Sequence, residues 1–178
     1  SRFWQAVWKS PCRPRVHLFL WRFALNSHPL LRNVERLGVE LDILCPLCHR
    51  QAEDGGHLFL RCKEVKIRWR YCGLEYTRQQ LQLCDTPSQV LAAVFKLPEE
   101  IKLRTICLLW SWWSERNNAN HQKRCLDAEG FSARVGYLTK EWMEFLVGKE
   151  KQDPTPIPSP RWIAPPPNII KINVDAAF

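Results

Sequence analysis

Cys45, Cys48, His57 and Cys62 stand at C-x2-C-x8-H-x4-C spacing. Thiolate sulfur and neutral imidazole nitrogen are the donors a tetrahedral zinc ion takes, and four of them close the coordination sphere without an open position for catalysis. The two-residue gap lets the sulfurs of Cys45 and Cys48 turn toward one point. The His57/Cys62 pair suits the first turn of a helix, where residues four or five apart can face the same side. The pattern therefore predicts a structural zinc site. Cys45-Pro46-Leu47-Cys48-His49 also fits the C-x-x-C-H haem-attachment pattern, and Cys45/Cys48 alone fits a redox pair. Both of those leave His57 and Cys62 unused. Simple burial of the cysteines is a further alternative, and His49 is a competing ligand whose adjacency to Cys48 makes for poor geometry.

The remaining cysteines, Cys12, Cys72, Cys84, Cys107 and Cys125, follow no spacing. That argues against a disulfide framework and for an intracellular, reducing compartment, the nucleus included. No apolar run approaches the roughly 20 residues needed to cross a bilayer, and arginines and lysines interrupt the first 30 residues, so neither a membrane span nor a secretory segment is expected. With 46% hydrophobic and 25% charged residues the composition is that of a globular chain.

The net charge of +8 is unevenly placed. Residues 1–72 hold 13 Lys and Arg against 6 Asp and Glu, residues 73–150 hold 10 against 10, and residues 151–178 hold 3 against 2. The basic excess belongs to the part carrying the zinc motif and points to a polyanion partner, most simply nucleic acid. Arg13, Arg15, Arg22, Arg61, Lys63, Lys66, Arg68 and Arg70 are the candidate phosphate contacts. Trp21, off its helix's apolar stripe and beside Arg22, is the candidate for stacking on a base.

The elements that must position these residues read as helices. Phe3, Trp4, Val7 and Trp8 form a first apolar face. Ser10-Pro11-Cys12-Arg13-Pro14 breaks it. Val16, Phe19, Leu20, Phe23 and Ala24 resume at i, i+3, i+4, i+7, i+8. A short helix through Leu30, Leu31, Val34 and Leu37 stops at Gly38. Gly55-Gly56 reads as a tight turn before His57, and one helix is expected from Leu58 to about Tyr71, ending at Gly73. Thr86-Pro87 caps the next helix, and another opens at Glu99-Glu100 and ends in the polar stretch Ser114 to Asn118. The last spans about Asp127 to Val147. Trp4/Trp8 and Trp110/Trp113, at helical spacing, are expected in the core.

Asp153 to Pro167 carries seven of the 13 prolines and reads as an extended linker. Ile169, Ile170, Ile172 and Val174 then alternate as a β-strand ending at Asp175-Ala176-Ala177-Phe178. Two-metal nuclease chemistry needs several converging carboxylates, and Asp175 stands alone, so this chain by itself is not expected to be an enzyme. No Gly-rich phosphate loop, G-x-S-x-G or H-E-x-x-H motif occurs.

Together, Pro14-Arg15-Val16-His17-Leu18-Phe19-Leu20-Trp21-Arg22, Cys45-Pro46-Leu47-Cys48 and His57-Leu58-Phe59-Leu60-Arg61-Cys62 resemble the zinc-binding domain of plant LINE-type (non-LTR) retrotransposon reverse transcriptases. Trp110 to Asn117 is similar to the helical segment that follows it, and Lys171 to Phe178 resembles the first strand of an RNase H-like domain. The resemblance implies zinc on Cys45, Cys48, His57 and Cys62, and makes Asp175 the first RNase H carboxylate, with Ala176 where glycine is commoner. It also implies neighbouring polymerase and RNase H domains as partners. The expected architecture is mainly α: a zinc-binding helical module (1–72), a helical connecting region (73–150), a Pro-rich linker (151–168) and the first strand of a truncated RNase H-like domain (169–178). The expected function is nucleic-acid binding. The alternative is a zinc-stapled structural or protein-interaction domain packing against a polymerase.

Overall fold

The computed structural model describes the backbone of residues 2–150 and the side chains of residues 2–146. The expected linker (151–168), the terminal strand (169–178) and Asp175 lie outside the described residues. Within them the chain is helical and contains no sheet. The helices are α1 (Arg2–Lys9), α2 (Pro14–Ala24), α3 (Leu31–Glu35), a π-helical turn (His57–Arg61), α4 (Lys63–Tyr71), α5 (Glu75–Leu81), α6 (Pro87–Val94), α7 (Glu99–Asn120) and α8 (Ala128–Glu150). The β-type pairing found is one antiparallel bridge, Leu44 with Ala52.

Local chemistry explains most of the boundaries. Pro14 opens α2 at a position where its missing N–H costs nothing, and the predicted stripe Val16, Phe19, Leu20, Phe23 and Ala24 is buried throughout. Gly38 (φ +86°) and Gly73 (φ +70°) supply the left-handed stops after α3 and α4. The Thr86 hydroxyl accepts the Gln89 N–H at 3.2 Å and caps α6. Asp127 does the same for α8, its carboxylate accepting the Gly130 N–H at 2.8 Å.

α7 is buried on nearly every side: Leu103, Ile106, Cys107, Leu108, Leu109 and Trp112 are all closed to solvent. Such a helix belongs at the centre of a fold rather than on its surface. Phe131, Val135 and Trp142 of α8 join the same continuous core as Val65 and Trp69 of α4 and the α2 stripe.

Four expectations change. α7 runs on through Ser114–Asn118, because Glu115 and Arg116 are buried and paired instead of solvated. The core tryptophan of that helix is Trp112; Trp110 and Trp113 are half-buried, and Trp8 of α1 is exposed against the His17 ring. The helix expected from Leu58 to Tyr71 is broken at Cys62, whose extended backbone (φ −55°, ψ 137°) separates the π turn from α4. Gly55 and Gly56 belong to the helical entry to that turn and not to a tight turn, with Gly56 at φ −65°, ψ −42°.

Candidate metal centre

The ligands come from two local structures. Cys45 and Cys48 lie in a hairpin loop: the Cys45 N–H donates to the Gln51 carbonyl at 2.9 Å, and the Glu53 N–H donates to the Ile43 carbonyl at 2.8 Å. The His49 N–H closes back on the Cys45 carbonyl at 2.8 Å. His49 takes the left-handed conformation (φ 51°) and is exposed, so its side chain is not the fourth donor.

His57 and Cys62 bracket the π turn. In an α-helix residues five apart are rotated by about 140° and face different sides. The wider i→i+5 turn, closed by the Cys62 N–H on the His57 carbonyl at 2.7 Å, brings them back to one side. The x4 spacing of the second pair is thus a π-turn spacing.

The four donor atoms lie within 4.8 Å of one another, and all four residues are buried. Cys48 Sγ is 3.3 Å from His57 Nε2. Tetrahedral zinc with Zn–S of about 2.3 Å and Zn–N of about 2.0 Å needs ligand–ligand edges of roughly 3.5–3.8 Å, so the set fits the ion. One thiol of the Cys45/Cys62 pair is already polarised toward binding. Cys62 is pulled down, first by the hydrogen bond from the Cys45 thiol and then by the Glu64 and Val65 N–H groups at the start of α4, against the opposing effect of burial. Cys45, the donor of that pair, is pushed up by the same bond and by burial. A bound cation displaces its proton.

The π turn is held from outside. Its break at Cys62 deprives three successive carbonyls of helical partners. Trp112 Nε1–H donates to Leu58 O at 2.8 Å, Trp69 Nε1–H to Phe59 O at 2.9 Å, and Arg78 to Leu60 O at 2.8 Å. The loop between the ligand pairs is anchored by Glu53, fully buried, whose carboxylate accepts Arg116 Nε at 2.6 Å, a second Arg116 nitrogen at 2.7 Å and the Leu31 N–H at 2.8 Å. Asp54 accepts the His57 N–H at 2.6 Å and fixes the start of the turn. The Nδ1 of His57 is buried without a hydrogen-bond partner among the described residues, so the backbone sets the ring's position.

The sequence alone did not reveal Glu53, Trp112, Arg116 or Arg78 as supports of the centre. Trp112 and Arg116 do carry a signal, an i, i+4 pair on the face of α7 toward the loop.

The candidate phosphate contacts differ in their freedom. Arg15 and Arg22 on α2 and Arg70 on α4 are exposed, Lys66 is half-exposed, and none forms an ion pair among the described residues. Arg13 pairs with Glu141 at 2.6 Å, Arg61 with Asp54 at 2.9 Å, and Lys63 with Glu64 at 3.6 Å. Arg68 turns inward: it pairs with Glu64 at 3.0 Å, donates to the Leu126 carbonyl at 3.2 Å and lies over the Trp112 ring. Trp21 is exposed at 38%.

A closed Cys3His site built this way is a structural metal centre. Residues 1–69 match the family described as zinc-binding in reverse transcriptase, and all four ligands fall within the match. Residues 1–69 are accordingly similar to that zinc-binding domain, and the buried Cys3His set supports zinc as a structural cofactor. No curated protein and no solved structure matches the chain. No helix among the described residues is long and apolar enough to cross a membrane.

Proposed function

We propose that the chain is a zinc-folded nucleic-acid-binding module of a reverse transcriptase-like protein. The observation that carries this reading is the charge distribution: the +7 excess of residues 1–72 resides in the domain that zinc folds, while residues 73–150 are neutral. Arg15, Trp21 and Arg22 from α2, with Lys63, Lys66 and Arg70 from α4, offer cations and an aromatic face to solvent. Arg13 and Arg61 can join them by exchanging a carboxylate for a phosphate, whereas Arg68 contributes from behind, by holding α4. The ion itself would be a staple, and phosphates would be met by the helices it fixes.

The finer parts of this reading are a LINE-type retrotransposon origin in plants and an RNase H-like domain beginning at residues 169–178, with Asp175 as its first carboxylate. They rest on the sequence resemblance. Boundaries at 72, 150 and 168 belong to the same proposal.

A salt titration of RNA and DNA binding by the zinc-loaded chain tests it, with Cys48→Ser as control. Counterion release requires affinity to fall steeply with salt; affinity that is flat or absent rules the reading out.

A second reading has its own support. Leu18, Trp21 and Leu25 stand at i, i+3 and i+7 on the outer side of α2 and its C-cap, exposed at 45%, 38% and 53%. An apolar stripe of this kind favours packing against a neighbouring protein domain such as a polymerase. It predicts zinc-dependent folding without nucleic-acid affinity, and Trp21 would then be an interface anchor.

A further inference from the structure

An open trough of about 540 Å³ lies directly beside the metal ligands. One wall is the hairpin loop, presenting Arg50. The other is α4, presenting Lys63, Lys66 and Arg70, and Arg61 of the π turn also lines it. Cys48 and His57 line the same space; Cys48 belongs to the hairpin wall, and His57 to the π turn that leads into α4 through the ligand Cys62. Five cations and no carboxylate-bearing side chain line it. Of these, Arg50, Lys66 and Arg70 form no ion pair among the described residues, and the acids nearest the rest are Asp54 on Arg61 and Glu64 on Lys63.

Spacing gives this charge a direction. Lys63, Lys66 and Arg70 fall at i, i+3 and i+7, one row along α4 that rises about 10 Å. At about 3.4 Å of rise per phosphate in one strand, that row meets about three consecutive phosphates. Arg50 faces it from the opposite wall. α4 cannot serve as a major-groove reading helix, since Val65 and Trp69 bury its inner side and the hairpin loop flanks its outer one. A walled cationic channel that tracks one backbone is how single strands are held, whereas a duplex presents two backbones to a convex surface.

We infer that this trough binds the phosphate backbone of single-stranded nucleic acid, with Arg50, Lys66 and Arg70 as its principal contacts and the zinc ion setting the distance between its walls. The inference deepens the nucleic-acid reading proposed above and rests on it. Arg50, outside the set that sequence reasoning selects, becomes a binding residue because the hairpin folds it across from α4.

The test is fluorescence anisotropy of the zinc-loaded full chain with a labelled single-stranded oligonucleotide, RNA and DNA in separate arms, and with the matching duplex, from about 50 to 200 mM salt. Three forms are compared: the wild type, the trough variant Arg50→Gln/Lys66→Gln/Arg70→Gln, and the charge-matched control Lys96→Gln/Lys123→Gln/Arg124→Gln. The six positions are exposed or half-exposed, and zinc content with circular dichroism verifies that each variant is folded. The expected result is single-strand binding that loses about 10-fold or more in the trough variant. Its log–log salt slope becomes shallower by about 2, from three phosphates at about 0.7 each, and the control keeps the wild-type slope. If the wild type binds and the folded trough variant binds equally well, the trough is overturned and the broader reading stands. Duplex bound as tightly as single strand overturns the single-strand assignment. Absence of binding by the wild type removes both.

Discussion

Glu53, between the two ligand pairs of the zinc loop, and Arg116, 63 residues later on α7, form a buried two-point ion pair at 2.6 and 2.7 Å. Arg116 also donates to the Pro29 carbonyl at 3.3 Å and lies over the Trp113 ring, while Glu53 accepts the Leu31 N–H. Both groups are thus engaged by several partners at once. Removing one partner strands a charge in a closed interior, which costs about 3–5 kcal/mol, whereas replacing both costs much less. Arg116→Met should therefore destabilise the zinc-loaded chain by about that amount in urea unfolding, and Glu53→Gln/Arg116→Met should recover part of it. Equal stability of wild type and Arg116→Met would show that the pair does not anchor the loop.

The bond from Trp112 to the Leu58 carbonyl makes a second, separable prediction. Trp112→Phe keeps most of the ring volume and leaves that carbonyl unpaired in the core, at a cost of about 1–3 kcal/mol. Since Leu58 sits in the turn that aligns His57 with Cys62, zinc affinity should weaken too, by about 10-fold, as for other outer supports of metal ligands. Competition with a chromophoric chelator measures it. A variant less stable but with unchanged zinc affinity would mean that the turn keeps its shape without its cap.

His28 gives the chain a pH dependence of its own. Its ring lies between Phe19 and Trp113, with centroids at 4.8 and 4.6 Å, and Nε2–H donates to the Phe19 carbonyl at 3.1 Å. Burial holds its pKa down at about 4, against the pull of the Phe19 carbonyl and with help from Arg22 and Arg116. In the unfolded chain the value returns to about 6.5. Between the two the unfolded state binds the extra proton, so stability is full above pH 6.5 and falls as pH drops toward 4. From about pH 7 to about pH 5 the loss due to His28 should be about 2 kcal/mol. The zinc ligands also protonate in acid. The measurement is therefore the difference between wild type and His28→Gln, whose pH profile should be flatter by that amount; parallel profiles would exclude His28 as the source.

Much of the metal centre was legible in the sequence because ligand chemistry is local: C-x2-C-x8-H-x4-C names its own donors. The α2 stripe and the Thr86 cap were legible for the same reason. What escaped was non-local. A run such as Ser114-Glu115-Arg116-Asn117-Asn118 looks like a solvated helix end until Glu53 and Arg134 arrive to pair Arg116 and Glu115. The break at Cys62 was hidden because π and α turns share the same residue types, and the x4 spacing was the available clue. Trp110, Trp112 and Trp113 could not be ranked by periodicity, since α7 is enclosed nearly all round and lacks a single apolar face.

The supports converging on the zinc loop also predict how the chain loses its metal. Glu53 is held by α7, Leu58 by Trp112 of α7, Phe59 by Trp69 of α4 and Leu60 by Arg78 of α5. A single hydrophobic cluster runs from Val7 to Trp142 and includes Cys45, Cys48 and Cys62. If zinc released the loop alone, these three carbonyls and one carboxylate would remain buried without the geometry that pairs them. The cost would pass directly to α4, α5 and α7. Chelation should accordingly lower the midpoint of one cooperative thermal transition, on the order of 10 °C if several kcal/mol of binding energy is lost at about 2–4 °C per kcal/mol. Calorimetry with and without a strong chelator distinguishes this from its opposite. Two transitions, the upper one indifferent to chelator, would mean that residues 73–150 fold independently and that the bridges from Trp112 and Arg116 carry little energy. Cys48→Ser, measured without chelator, should reproduce the lowered single transition.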